Sequence, residues 1–193
     1  MEDGIRILSE ETLSKQKYHL KKLTFELIRK TGEVQKQVRE VYDRGNGATI
    51  LLYNSDSRNI ILTKQFRLPT YLNGNKSGLL IETCAGLLDE HEPEECIRKE
   101  VEEETGFEVK NVKKIFKAYM SPGAVTEILH FFIGSYFPNL KTGEGGGLKE
   151  EGEDIEVIEL PFDEAYKMIK KEEITDAKTI LLLQYAMINN LFR

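Results

Sequence analysis

One segment constrains this chain more than any other: PEECIRKEVEEETG, from Pro93 to Gly106. A proline in the first turn of a helix loses no helical hydrogen bond. Glu94 and Glu95 suit the positive end of the helix dipole, and glycine is the residue that ends a helix most readily. The segment therefore reads as one helix. Ile97 and Val101, four apart, give it a core-facing stripe, while Glu100, Glu103 and Glu104 share a second face at i, i+3 and i+4. Like charges at that spacing repel, so the arrangement calls for something cationic. Ahead of the helix lie a short apolar strand, GLLIET, ending at Cys84, and a glycine-containing loop. That order brings backbone oxygens close to the carboxylates. Carboxylate and backbone carbonyl oxygens are the ligands of hard cations such as Mg²⁺ and Mn²⁺.

The charge of the whole chain has the same emphasis. The net charge is −6 over 193 residues, yet residues 82–108 hold eleven carboxylates against two bases, Arg98 and Lys99, and residues 150–164 hold eight acids and no base. Two acidic segments that meet on a cation would account for this division. A pI near 5.3 argues against general binding to nucleic acid or to anionic membranes. No run approaches the ~18 apolar residues of a membrane span. The start, MEDGIRILSEETLSK, has no apolar stretch with a small-residue cleavage site, so no secretory signal is expected and the cytoplasm is the expected location. Cys84 and Cys96 are too few for a disulfide framework and read as reduced thiols. His19, His91 and His130 are scattered, which argues against a histidine-based zinc site or a Ser-His-Asp triad.

Hydrophobic alternation over residues 18–29 and again from Val34 to Arg44, around the turn Lys30-Thr31-Gly32-Glu33, predicts an antiparallel hairpin. An isolated hairpin is not stable alone, so it must pack on the rest of the chain or on a second copy. The break at Arg44-Gly45-Asn46-Gly47 separates an N-terminal β subdomain, 1–44, from a larger domain, 45–193. In the latter, ATILLYN and NIILTKQFR read as strands joined by a turn, and strands follow near 107–119 and 128–137. The glycine-rich stretch Lys141–Glu153 is expected to be mobile. DIEVIEL reads as a strand, and 162–171 and 176–192 as helices. Strands and helices mix without regular βαβ alternation, so the fold class is α+β.

The segment AGLLDEHEPEECIRKEVEEETGF resembles the Nudix box. Gly86 is followed by five residues and Glu92, and Glu100-Val101-Glu102-Glu103-Glu104-Thr105-Gly106-Phe107 fits its second half. Six residues rather than the usual seven separate Glu92 from Lys99, and Lys99 stands where arginine, with its planar fork, is usual. REVYDRGNGATILLYN, KQFR, YMSPGAVTEILHFF and DIEVIELPF extend the likeness to the GDP-mannose pyrophosphatase (NudK-type) branch of the Nudix hydrolases, over about residues 13–185. Pro122, sixteen positions after Gly106, resembles a marker of the ADP-ribose pyrophosphatases, a sister branch.

This resemblance implies a Nudix fold, a mixed sheet sandwiched between helices. It implies Mg²⁺, with Mn²⁺ as a substitute, held by Glu100, Glu104, the backbone carbonyl of Ala85 and a loop acid. Glu153 matches that acid best when counted back from DIEV, with Glu150, Glu151 and Asp154 as alternatives. Glu103 is the third acid of the box, acting through water or as an alternative ligand. The catalytic set is then Glu100, Glu103, Glu104 and Glu153, with the base among them open. Substrate contacts are implied at Arg39 and Glu40 in the hairpin, at Arg67, at Ala85 and Gly86, at Glu104, Glu127 and Glu153, and at Lys178. A tyrosine common in the family is replaced by Lys17, with Tyr18 beside it. The implied reaction is hydrolysis of GDP-mannose to GMP and mannose 1-phosphate. The alternatives are an ADP-ribose or ADP-sugar pyrophosphatase, or a non-catalytic nucleotide-sugar-binding protein. The implied assembly is a homodimer that exchanges N-terminal hairpins.

Overall fold

The computed structural model describes residues 4–192. The chain divides into two compact units, one made of residues up to Asn46 with Ala118–Leu129, the other of Gly47–Lys117 with His130 and all that follows.

The first unit is an antiparallel sheet in the order β1 (Ile5–Lys15), β2 (His19–Ile28), β3 (Val34–Asp43). The expected hairpin is β2–β3, in unbroken register from His19↔Asp43 to Ile28↔Val34. β1 was not expected. It is exposed along its whole length, so no face is buried and its sequence shows no clean alternation. Its register on β2 shifts twice, between Ile7 and Ser9 and between Thr12 and Ser14. Backbone pairing and cross-strand ion pairs hold it: Arg6–Glu26 at 2.7 Å, Lys22–Glu11 at 3.0 Å and Lys21–Glu10 at 3.1 Å. The segment 118–129 closes on the end of β3. Tyr42 N–H donates to the Ala124 carbonyl at 2.7 Å and Thr126 N–H to the Tyr42 carbonyl at 3.1 Å.

The second unit holds β4 (Gly47–Asn54), β5 (Asn59–Phe66), α1 (Leu68–Leu72), β6 (Leu79–Glu82), β7 (Ala85–Leu87), α2 (Pro93–Thr105), β8 (Val112–Tyr119), β9 (Ile128–Ser135), β10 (Glu156–Pro161), α3 (Phe162–Lys170) and α4 (Ala177–Ile188). Its seven-stranded sheet runs β10-β5-β4-β9-β8, with β6 beside β5 and β7 beside β4. β4 is buried almost throughout, and its alternation shows why. Ala48, Ile50 and Leu52 pack with Ile97 and Val101 of α2. Thr49, on the opposite face, bonds Thr83 at 2.9 Å, and Thr83 N–H donates to Thr179 of α4 at 2.7 Å. Successive strand residues point to opposite faces, so α2 and α4 cover the two sides of the sheet. This is the α+β sandwich expected.

α2 begins at Pro93 and ends at Gly106, whose φ is +75°, as its sequence dictates. Two elements are shorter than expected. β8 begins at Val112, because Phe107 and Val109 turn into the core instead. α4 stops at Ile188, and the chain folds back so that Phe192 lies buried against Phe162, with Arg58 donating to its carbonyl at 2.7 Å.

Candidate active site

The register of β7 on β4, Thr49↔Ala85 and Ala48↔Gly86, lays residues 85–87 alongside α2. Gly86 is required for space: a Cβ there would stand 2.0 Å from Cδ and Oε1 of Glu100. The Glu100 carboxyl thus lies against the backbone that carries the Ala85 carbonyl. One turn on, Glu104 is 2% exposed, and its Oε2 is buried without a hydrogen-bond partner. Burial, then the charges of Glu103 and Glu153, push the Glu100 carboxyl up to about 7. Burial likewise pushes Glu104 up to about 8, with Glu100 and Glu153 adding to it while the Cys84 thiol and Arg67 pull the other way. A cation beside such carboxylates would favour their charged forms and lower these pKa values.

The glycine-rich stretch supplies the third acid, and it is not a free loop. Gly146 N–H donates to the Glu104 carbonyl at 2.9 Å and Gly147 N–H to the Glu103 carbonyl at 3.0 Å. Thr142 and Gly143 N–H both donate to the Gly106 carbonyl. Pinned in this way to the end of α2, the segment holds Glu153 near enough for its charge to raise both Glu100 and Glu104. Of the four candidate acids, Glu150, Glu151 and Asp154 are exposed and Glu153 alone is partly buried. Its Oε2 accepts from Leu148 N–H at 2.9 Å. The expected mobility does not allow for these bonds, which only the fold supplies. Glu103 points to a different partner, Lys99, at 3.2 Å.

Arg67 and Lys178 come together on a residue absent from the sequence-derived set. Arg67 Nε donates to Oε2 of Glu82 at 2.7 Å, and Lys178 Nζ donates to Oε1 of the same carboxylate. Lys178 also pairs with Asp176 at 3.1 Å. A signal for Glu82 was present: a lone acid closing the apolar strand GLLIET is a buried charge in need of partners. Cys84 was also missed. It is buried beside Glu104, and burial pushes its thiol up.

Arg39, Glu40 and Glu127 belong to the first unit. Arg39 and Glu40 are exposed neighbours on β3, opposite Leu23 and Lys22. The Arg39 guanidinium donates to the Val38 carbonyl and to Gln37, each at 2.8 Å. Glu127 is buried and pairs with Arg44 at 3.6 Å. Arg44 lies 5.5 Å over the ring of Tyr18, which packs edge-on against Tyr42.

Glu100, Glu104 and Glu153 with an orphaned oxygen form an oxygen donor set of the kind a hard divalent cation takes. Among the described residues, no three acid, histidine or cysteine side chains already stand at ligating distance of one another.

Two family models match the chain. The GDP-mannose pyrophosphatase NudK N-terminal domain matches residues 4–42, and the NUDIX domain matches residues 43–183. The chain is 57% identical to the GDP-mannose pyrophosphatase of Pectobacterium atrosepticum over 192 residues, covering 100% of this chain and 98% of that one. It is 56% identical to those of Escherichia coli O157:H7 and Shigella flexneri over 191 residues, 99% of each chain. A crystal structure of an ADP compounds hydrolase superposes with a TM-score of 0.73 at 17% identity, over 98% of this chain and 95% of that one, and shows the same fold.

Proposed function

We propose that this chain, which belongs to the NUDIX family, hydrolyses GDP-mannose to GMP and mannose 1-phosphate. The coarser activity is plain: the protein is a pyrophosphohydrolase that cleaves nucleotide sugars at the pyrophosphate. The observation that carries the choice of sugar nucleotide is identity above 55% along the whole length to GDP-mannose pyrophosphatases, including the N-terminal domain that bears their name.

The residues in the site fit a divalent cation, as the family's use of such ions requires, and Mg²⁺ is the ion we propose. Glu100, Glu104, Glu153 and the Ala85 carbonyl would hold it, with Glu103 as an outer or alternative ligand. Bound there, it would neutralise the pyrophosphate and lower the pKa of a bound water. The protein's own groups do the rest. Arg67 and Lys178, kept in place by Glu82, offset the phosphate charge. Gly86 lets the Glu100 carboxyl and the β7 backbone share one small space. One of Glu100, Glu103, Glu104 and Glu153 would take the proton from that water. Water adds to one phosphorus, the bridging P–O bond breaks, and the two products leave as monoesters.

Arg39 and Glu40, exposed on β3 of the N-terminal domain, and Glu127, beside Arg44, are proposed as substrate contacts. We place the boundary at residues 44–45. The exposed apolar side chains of that domain, among them Ile5 at 48%, Ile7 at 54% and Val34 at 49%, support burial against a second copy in a homodimer. Among the described residues no helix is long and apolar enough to cross a membrane, and the cytoplasm is the proposed location.

Parallel assays with GDP-mannose, ADP-ribose and other nucleotide sugars in Mg²⁺, with products identified by mass, test the reading. Release of GMP and mannose 1-phosphate at the highest kcat/KM supports it. A clear preference for ADP-ribose rejects it.

A further inference from the structure

The glycine-rich strap is more than a connection. Its backbone N–H groups at Gly146 and Gly147 bond the carbonyls of Glu104 and Glu103, the last turn of the helix that carries the box carboxylates. Ile155 N–H returns to the Gly146 carbonyl at 3.2 Å and Glu153 N–H to the Leu148 carbonyl at 3.2 Å, so residues 146–155 close on themselves. Two glycines make the close approach necessary. A Cβ on Gly145, at φ +72°, would stand 2.5 Å from the Glu104 carbonyl oxygen. A Cβ on Gly147, at φ +78°, would stand 2.4 Å from Oε2 of Glu153. The space above Gly147 is therefore where the Glu153 carboxylate rests, with Leu148 N–H as its donor at 2.9 Å.

We propose that Gly147 and the Leu148 N–H are positioning groups that fix Glu153 against the Glu100–Glu104 pair and so set the affinity of this protein for its divalent cation. This rests on the reading that Glu153 helps to hold that ion. Because the strap hangs from the carbonyls of Glu103 and Glu104, the loop acid and the helix acids form one rigid set. Without the strap, Glu153 would lie on a segment with several glycines and would lose conformational freedom each time the ion bound.

Gly32, in the turn between β2 and β3, supplies the control. Its φ is +85°, close to that of Gly147, but a Cβ there would meet nothing within 4 Å. Gly32→Ala therefore carries backbone strain of the same kind at a position more than a hundred residues from Glu153. Mn²⁺ binding, read by electron paramagnetic resonance of the free ion without substrate, is compared for the native protein, Gly147→Ala, Gly32→Ala, Leu148→Pro and Glu153→Gln. Leu148→Pro removes the N–H donor and leaves the glycine at 147. Gly147→Ala and Leu148→Pro should weaken Mn²⁺ about tenfold, the lower range for lost support around metal ligands, and Gly32→Ala should bind as the native protein does. Activity at saturating Mg²⁺ should largely return, so that the half-saturating Mg²⁺ rises far more than kcat falls. Combining Gly147→Ala with Glu153→Gln should add nothing to Glu153→Gln alone. Should Gly147→Ala fail to fold, Leu148→Pro decides by itself. Native affinity in Leu148→Pro, with Glu153→Gln weakened, overturns the positioning role and leaves the Glu153 reading intact. Native affinity in Glu153→Gln overturns both.

Discussion

Glu82 and Glu104 lie in the same unit, 4% and 2% exposed, and the protein treats them in opposite ways. Glu82 has a cation on each oxygen, Arg67 on one and Lys178 on the other. Glu104 has an oxygen with no hydrogen-bond partner among the described residues, and its acidic neighbours Glu100 and Glu153 raise its pKa further. A buried carboxylate that the chain neutralises itself belongs to the framework. One left without a countercharge costs the fold stability until an ion arrives from outside. The difference separates the residues that hold the site open from those that use it.

The largest expected effect comes from removing the unpaired charge. Glu104→Gln or Glu100→Gln should lower kcat by about 10³-fold or more, roughly 4 kcal/mol of transition-state stabilisation, with the circular dichroism spectrum unchanged. In metal-free protein Glu104→Gln should melt no lower than the native chain, because the charge it removes had no partner. Near-native turnover in either variant would end the metal assignment. Glu82→Ala should behave in the reverse sense. Breaking a buried pair from one side costs about 3–5 kcal/mol, and the lower end applies because Lys178 keeps Asp176 and Arg67 is partly exposed. Chemical denaturation with and without Mg²⁺ distinguishes the two: the loss in Glu82→Ala should persist in Mg²⁺. A Glu82→Ala protein as stable as the native one would erase the contrast.

A smaller effect is the dependence on pH. Glu100 at about 7 and Glu104 at about 8 hold protons more tightly folded than unfolded, where a glutamate titrates near 4.5. Between those values the native state binds more protons, so stability falls as pH rises. Metal-free protein should therefore melt at a lower temperature at pH 8.5 than at pH 6, and Mg²⁺ should restore most of the difference at pH 8.5. Glu104→Gln should flatten the slope. A melting temperature that rises over this range in metal-free protein would contradict the burial of these charges.

Much of this contrast was legible in the sequence on one side only. The helix ends follow from Pro93 and Gly106, and the shared face of Glu100 and Glu104 from their spacing, because both are local properties of one helix. The closeness of Gly86 and Glu100 follows from the family pattern. Glu82 was not legible as a hub, since Arg67 and Lys178 reach it from just after β5 and from α4, 15 and 96 residues away. The strap was misjudged for a related reason: glycines signal freedom in a sequence, and here their lack of side chains permits contact with the α2 carbonyls. β1 escaped notice because a strand exposed on both faces has no hydrophobic period to read.

The smallest effect belongs to a carboxylate of the box that is neither framework nor unpaired. Glu103 meets Lys99 at 3.2 Å, an i,i+4 pair in which the lysine side chain is 58% exposed. Such a pair contributes about 0.3–0.5 kcal/mol, and glutamate should sit N-terminal to lysine for the better orientation, the reverse of the order here. Among the described residues the ion pair of Lys99 runs along its own helix. Its charge also lowers the pKa of Glu100 slightly, so its loss should make the unpaired set a little harder to ionise. Lys99→Ala should cost no more than about 0.5 kcal/mol in urea denaturation and leave kcat at saturating Mg²⁺ near native. Lys99→Arg, which restores the residue usual at this place in the box, should differ even less. A loss of activity in Lys99→Ala comparable to that of Glu104→Gln would mean that Glu103 is held by Lys99 for catalysis, and the division between paired and unpaired carboxylates would have to be redrawn around it.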